Sequence, residues 1–145
     1  MPVSVSSDLP LPAGTVADLL ARPAVLQFLL WPLLTVSPPG SPRFGIGEDI
    51  TITLRLGGLI PLWRHTLRVV ETDPTTGSAI TEEHGGPLRR WRHTMTVEPL
   101  TAGTSRYTDR VEIDAGRSTR LAAHVARGLY RHRHRRWQTL ARLLS

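Results

Sequence analysis

Apolar and polar residues alternate with a period of two through much of the chain after residue 49. In residues 50–56 every second residue is Ile or Leu, and the residues between them are Thr or Arg. This period is typical of a strand with one buried face. Val3 and Val5 alternate with Pro and Ser in the same way near the start of the chain. The predicted strands cover residues 2–6, 50–56, 63–70, 79–84, 89–99 and 105–114.

Segments rich in Gly, Pro and Asp separate the predicted strands and favour hairpins between them. These turn segments are Gly57–Gly58, Asp73–Gly77, Gly85–Pro87 and Thr101–Gly103. Gly supplies positive backbone φ angles, and Pro and Asp favour turn positions. The segment Pro38–Pro42 contains three prolines, so we expect a loop there rather than a strand.

Two short helices are predicted between the first strand and the rest of the sheet. Thr15 can cap the first helix, with Asp18 three residues later as a capping acid. Arg22–Pro23 ends that helix, because the residue before a proline disfavours helical geometry. The apolar segment Ala24–Leu30 forms the second helix, which ends before Pro32.

A long amphipathic helix ends the chain. Ser118 is a suitable N-cap, and no proline follows it as far as Ser145. At 100° per residue, one side of this helix carries Leu121, Val125, Leu129, His132, Arg136, Leu140 and Leu143. Hairpins followed by one amphipathic helix predict an α+β domain, in which the helix covers one face of the sheet. His132 and Arg136 fall near the middle of the stripe, so we expect Arg136 to pair with a carboxylate, reach solvent or contact a ligand.

Composition limits the function classes without selecting one. A chain of 145 residues is the size of a single domain, and we predict one domain over residues 1–145. The net charge of +6 comes from Arg alone, and its excess lies between Arg127 and Arg142. There is no Cys for a disulfide or zinc site. The N-terminus lacks signal-peptide features, and Ala24–Leu34 is too short to span a bilayer, so we expect a cytoplasmic location and no membrane span.

Four motifs occur together in the second half of the chain. Residues 86–93 read Gly-Pro-Leu-Arg-Arg-Trp-Arg-His, and residues 103–113 read Gly-Thr-Ser-Arg-Tyr-Thr-Asp-Arg-Val-Glu-Ile. Trp63 precedes a strand that leads to Asp73–Pro74, and the pair Tyr130–Arg131 lies in the last helix. These motifs resemble the SRPBCC superfamily of START-like and polyketide cyclase-like ligand-binding domains. The resemblance implies a helix-grip fold: a curved antiparallel sheet of six or seven strands around a long C-terminal helix, with two short helices after the first strand.

The resemblance also implies a cavity between the sheet and the C-terminal helix. We expect it to bind an apolar or aromatic small molecule, lipid-like or polyketide-like, without a cofactor. For the oligomeric state, we expect a monomer or a homodimer. The predicted ligand-binding residues are Trp63, His65, Trp91, His93, Met95, Tyr107, Asp109, Val111, Val125 and Leu129.

His93 and Asp109 are the candidate chemical groups. Both occupy odd positions on neighbouring strands whose odd positions carry the apolar residues, so both should point into the interior. A carboxylate raises the basicity of an imidazole and fixes its tautomer, which would suit an acid–base pair in a cyclase or dehydratase. The alternative is that the two side chains only satisfy each other's hydrogen bonds inside the fold.

Other chemistries receive little support. His65 and His93 with a carboxylate could form a metal site, but no helical His pair accompanies them, and we predict no metal. The basic run of residues 131–136 is a less favoured nucleic-acid surface, with Arg127, Arg131, His134 and Arg135 expected to face outward. The sequence has no nucleophile elbow, P-loop or dinucleotide-binding glycine motif, so nothing indicates a hydrolase, kinase or dehydrogenase.

Overall fold

Seven strands, three α-helices and one short 3₁₀ turn make up the chain in the computed structural model, which describes residues 1–36, 45–73 and 77–145. The first half contains β1 (Pro2–Leu9), α1 (Ala13–Leu20), α2 (Pro23–Leu30), β2 (Leu34–Val36) and β3 (Asp49–Leu56). The second half contains β4 (Ile60–Asp73), β5 (Ser78–Gly85), β6 (Leu88–Thr101), β7 (Thr104–Asp114), the 3₁₀ turn Gly116–Ser118 and α3 (Thr119–Leu144).

The strands form one antiparallel sheet in the order β1-β7-β6-β5-β4-β3-β2. Side chains of β7 alternate between the buried and the outer face along the strand, as the sequence pattern predicted. Register shifts interrupt four of the hairpin ladders, one each between β3 and β4, β4 and β5, β5 and β6, and β6 and β7. Such bulges bend strands, so they help to curl the sheet around its concave face.

The turn between β5 and β6 depends on glycine. Gly86 has a φ of 52°, and a Cβ atom there would lie 2.6 Å from the Trp63 ring. Both the positive φ and the close approach exclude a larger residue. The Gly-Pro of the sequence motif is therefore the point where the hairpin packs against the indole of β4.

Helix α3 packs mainly on β1, β7 and α2. The buried core beneath its first half includes Val3, Trp91 and Val111, and the core beneath its second half includes Leu9 and Tyr107. A third buried cluster joins α2 and β2 to β3 and β4. This arrangement is the predicted α+β helix-grip fold, with the sheet complete at seven strands.

The buried face of α3 differs from the predicted one. Leu121 and Val125 are 66% and 61% exposed, whereas the buried residues are Ala123, Ala126, Tyr130, Arg133, His134, Trp137 and Ala141. The prediction placed the large aliphatic side chains against the sheet, with Val125 and Leu129 among the ligand-binding residues. The helix instead buries three alanines together with two aromatic and two basic side chains. His134, which was predicted to face outward, is only 5% exposed and that prediction is wrong.

The cation in the predicted stripe contacts α2 rather than a carboxylate. Arg136 Nε donates to the carbonyl of Phe28 at 2.9 Å, and its guanidinium lies 3.9 Å from the centre of the Phe28 ring. His132 Nε2 lies 2.9 Å from the carbonyl oxygen of Trp31. These residues fasten α3 to the end of α2.

Smaller differences concern helix starts and loops. Pro12, not Thr15, occupies the N-cap of α1, and β2 was not predicted. The predicted loop at Pro38–Pro42 lies outside the described residues, as do the central residues of the predicted turn at Asp73–Gly77.

Among the described residues no single helix is long and apolar enough to cross a bilayer. Helices α1 and α2 would meet that test only when taken together, and they meet at a bend of 93°.

Candidate functional site

A cavity of about 1320 Å³ lies between the sheet, the first two helices and α3. Its walls come mainly from α1, α2, the strands β3 to β6 and the first half of α3. Seven of the predicted ligand-binding residues line it: Trp63, His65, Trp91, His93, Met95, Val125 and Leu129. Leu121, another exposed residue of α3, also lines the cavity, so the first half of the predicted helix stripe faces this space.

Three predicted ligand-binding residues lie outside the lining, which corrects that part of the prediction. Tyr107 and Val111 have no exposed surface, and Asp109 is 1% exposed. All three point inward from β7, as their odd positions predicted, but α3 covers that part of the concave face. The Tyr107 ring lies 5.2 Å from the rings of His134 and Trp137, both of which belong to α3.

His93 and Asp109 lie in direct contact across β6 and β7. Nε2 of His93 is 2.6 Å from Oδ1 of Asp109, so the predicted proximity is confirmed. The residue directly opposite Asp109 in the ladder is Met95, and His93 is opposite Val111. The hydrogen bond is therefore diagonal, and of its two members only His93 reaches the cavity.

The carboxylate of Asp109 has three further partners. Tyr107 donates its hydroxyl proton to Oδ1 at 2.6 Å, and Nε2 of His134 is 2.9 Å from Oδ2. Nε of Arg133 is 3.4 Å from Oδ2. Burial by itself would raise the pKa of Asp109, but the charges of Arg133 and His93 and the hydrogen bonds from the two histidines lower it well below its usual range. Asp109 is thus an ionised acceptor at neutral pH.

Arg133 is a buried cation that lines the cavity. Its Nη2 donates to the Tyr107 hydroxyl at 2.9 Å and lies 3.7 Å from Sδ of Met95. Burial would lower the pKa of Arg133, but the neighbouring Tyr107 and Asp109 raise it above the ordinary value. The guanidinium therefore keeps its charge, which Asp109 compensates.

Glu83 on β5 is a second carboxylate with little exposure, 13% of its side chain, and sequence reasoning missed it. One oxygen lies 2.9 Å from Nε2 of His65, and the other accepts from Thr81 Oγ1 at 2.6 Å and lies 3.6 Å from Nδ1 of His93. Burial opposes its ionisation, but hydrogen bonds from His65 and His93 and the charge of His93 lower the pKa of Glu83 far below its usual range. The signal that could have found it is the alternation of faces along β5. Thr81 pairs with His93 and Glu83 with Trp91 across the hairpin, so Glu83 shares the inner face with these residues.

His93 therefore lies between two ionised carboxylates. Burial disfavours the charged imidazolium, but the field of Asp109 and the hydrogen bonds to Asp109 and Glu83 outweigh it and raise the pKa of His93. Both ring nitrogens have carboxylate neighbours, as expected for a doubly protonated ring. The cavity wall thus carries an imidazole ring that its two carboxylate neighbours hold in one orientation.

The polar network continues from His93 to the outer side of α3. Nδ1 of His134 lies 2.6 Å from the Ser7 hydroxyl, in a small groove between β1 and α3. At the cavity end, Trp63 Nε1 donates to Nδ1 of His65 at 3.4 Å. Within the described ranges, no group of three or more His, Cys, Asp or Glu side chains has a metal-binding arrangement.

Comparison with known proteins connects this fold to a described family. The model of a family described as "Domain of unknown function (DUF8410)" matches residues 7–141. No curated protein matches the chain in sequence.

Several solved structures share the fold over nearly the whole chain. A START superfamily protein from Mycobacterium smegmatis is 12% identical with a TM-score of 0.73, and the match covers 99% of both chains. The ZhuI aromatase/cyclase from Streptomyces sp. R1128 is also 12% identical with a TM-score of 0.73, and the match covers 98% of this chain and 93% of that one. The di-domain aromatase/cyclase BexL of the BE-7585A biosynthetic pathway is 17% identical with a TM-score of 0.73, covering 96% of this chain and 45% of that one. These likenesses show the START-like, SRPBCC-type fold that the sequence motifs resembled.

Proposed function

The chain belongs to the family described as Domain of unknown function (DUF8410), and we propose that it binds an apolar or aromatic small molecule, lipid-like or polyketide-like, between its sheet and α3. The observation that carries this proposal is the cavity of about 1320 Å³. Such a volume is ample for a drug-sized ligand, and ligand cavities combine apolar walls with a few polar groups. Here the walls include Trp63, Trp91 and many aliphatic side chains, and the polar groups include His65, His93 and Arg133.

Binding can be tested with the uncharged fluorescent probe N-phenyl-1-naphthylamine. Gly128 lines the cavity from α3, and a Cβ atom there would meet no other atom within 4 Å. Gly128→Trp should therefore fill part of the cavity and weaken probe binding without disturbing the fold.

Gly103 provides the matched control, because it also has free space around a Cβ atom but lies in the β6–β7 turn, away from the lining. Gly103→Trp should bind the probe as the wild-type protein does. Equal affinity of the wild-type protein and the Gly128 variant would argue against binding in the cavity.

A second candidate is a cyclase or dehydratase that uses His93 as the acid–base group. The observation in its favour is that His93 lines the cavity while Asp109 and Glu83 hold its proton and orientation. Two of the similar structures are named aromatase/cyclases, which supports a polyketide-like substrate. In this role Asp109 positions His93 and does not touch the substrate.

The enzyme proposal predicts that the protein accelerates the cyclisation of a linear poly-β-ketone thioester and its loss of water. Mass spectrometry of the products measures both steps. His93→Gln should abolish the acceleration, and Asp109→Asn should lose turnover if the variant keeps its fold. Equal product formation with and without the wild-type protein would leave only the binding function.

A further inference from the structure

We propose that Arg133 and Tyr130 form an oxyanion-binding site in the cavity, so that the ligand is an apolar or aromatic acid held by a carboxylate or a comparable oxyanion. This inference rests on the proposed binding function and names the class of ligand for that same cavity. The two residues are three apart on α3, which places them on one helix face, and both line the cavity.

The guanidinium of Arg133 has donors to spare. Its Nη2 contacts Tyr107 and Met95, and its Nε faces Asp109 at 3.4 Å without a hydrogen bond. Within the described part of the chain, Nη1 has no hydrogen-bond partner. A guanidinium has five N–H groups in a fixed fork suited to carboxylates. Because the side chain is only 7% exposed and lines the cavity, a bound ligand is the natural acceptor for Nη1.

Tyr130 supplies a second donor of the same kind. Its hydroxyl oxygen accepts from Trp91 Nε1 at 3.3 Å, and its own proton has no acceptor among the residues that the structure describes. Burial raises the pKa of Tyr130 well above its ordinary value, so the proton stays on the oxygen. A buried hydroxyl with an unused proton favours an acceptor in the adjacent cavity.

The surrounding charges permit an added anion. Asp109, which lies outside the lining, is compensated by Arg133 and His93 and also contacts His134. Glu83 reaches the cavity wall, but both its oxygens already face His65, Thr81 or His93. A ligand carboxylate at Arg133 would therefore lie next to unused hydrogen-bond donors, and not next to a protein carboxylate that lacks partners.

The test compares two ligands with the same apolar body, 1-pyrenebutyric acid and its methyl ester, by fluorescence titration of the intact protein at neutral pH. We expect the wild-type protein to bind the acid at least about tenfold more tightly than the ester, because hydrogen bonds to a charged group are strong. Arg133→Gln should remove this preference, and Tyr130→Phe should reduce it. Arg131→Gln, an exposed neighbour outside the cavity, should keep it.

The outcomes distinguish failure of the oxyanion site from failure of ligand binding in the cavity. If the wild-type protein binds acid and ester equally, or if Arg131→Gln removes the preference, the oxyanion site is overturned while cavity binding stands. If neither ligand binds, both the proposed binding function and the oxyanion site are overturned. Should Arg133→Gln not fold, the wild-type comparison and the Tyr130 variant decide the question, because neither disturbs the ion pair to Asp109.

Discussion

Four side chains converge on the carboxylate of Asp109: His93, Tyr107, Arg133 and His134. They come from β6, β7 and α3, so this one residue ties the last hairpin to the helix. Removal of the carboxylate would leave Arg133 as a buried charge without compensation, which is more costly than the loss of one neutral hydrogen bond.

Asp109→Ala should consequently lower the free energy of unfolding by about 3–5 kcal/mol, as is typical when one partner of a buried ion pair is removed. Guanidinium denaturation of the purified variant measures this. Asp8→Ala is the matched control, since Asp8 pairs with Arg106 at 2.8 Å on the solvated face of β1 and β7. The control should behave like the wild-type protein, and equal effects in the two variants would contradict the central role of Asp109.

The buried titratable groups predict a stability maximum in mildly acidic solution. The pKa values of Glu83 and Asp109 are lowered by folding, so their stabilisation is lost as the pH falls below the unfolded values of about 4. The pKa of His93 is raised, so its stabilisation is complete below an unfolded value of about 6.5 and is lost as the pH rises through the folded value. Urea unfolding across this range should therefore show the highest stability between the two limits.

Glu83→Gln checks the acid side of this pH profile. The variant should lose less stability than the wild-type protein as the pH falls below about 4, because one of the two carboxylates with a strongly lowered pKa is gone. Glu82→Gln, whose carboxylate pairs with Arg92, serves as the neighbouring control and should keep the wild-type profile. A wild-type profile for the Glu83 variant would place the acid sensitivity elsewhere.

At the scale of single elements, α3 divides its two faces between packing and the cavity. Trp137 is fully buried, whereas Val125 is 61% exposed and lines the cavity. Trp137→Ala should cost about 3–5 kcal/mol of stability, and Val125→Ala should change it by no more than about 0.5 kcal/mol. Thermal and chemical denaturation of both variants measure the contrast. A large loss of stability in the Val125 variant would indicate that the aliphatic residues of α3 pack in the core and do not line the cavity.

The same helix shows where sequence reasoning stopped. Period-two alternation and glycine turns located six of the seven strands and the hairpin that joins His93 to Asp109, because both signals are local. The buried face of α3 was mistaken because a hydrophobic stripe does not say whether it meets a sheet or an open cavity. His134 was predicted to face outward and Arg133 was assigned no role, since the burial of both depends on partners that tertiary structure alone brings together.

Glu83 was missed for a related reason. A Glu in a short strand is normally read as solvated, and the segment Ala79–His84 lacks the clean alternation of β3. Its parity becomes informative only when the Gly85–Gly86 turn fixes the register against Trp91 and His93. Contacts between site residues on neighbouring strands can thus be predicted where both strands alternate clearly. They are missed where one strand does not alternate.

Across the whole molecule, α3 fills one side of the concave sheet face and leaves the other side to the cavity. The polar network lies at the boundary, with His93 and Arg133 in the cavity wall and Tyr107 and Asp109 in the packed core behind them. The packed side can therefore fix the orientation of groups that face a ligand, without itself contacting that ligand.

The positive charge of the molecule gives the last prediction. The excess lies on α3, where Arg127, Arg131 and Arg135 are exposed and none of them lines the cavity. Exposed charges contribute little to stability individually, so changing all three to Gln should leave the unfolding free energy and the affinity for N-phenyl-1-naphthylamine nearly unchanged. Denaturation and probe titration measure these, and DNA and RNA binding at several salt concentrations is measured in parallel. Salt-dependent nucleic-acid binding by the wild-type protein that disappears in the triple variant would instead support the less favoured role of this helix as a nucleic-acid surface.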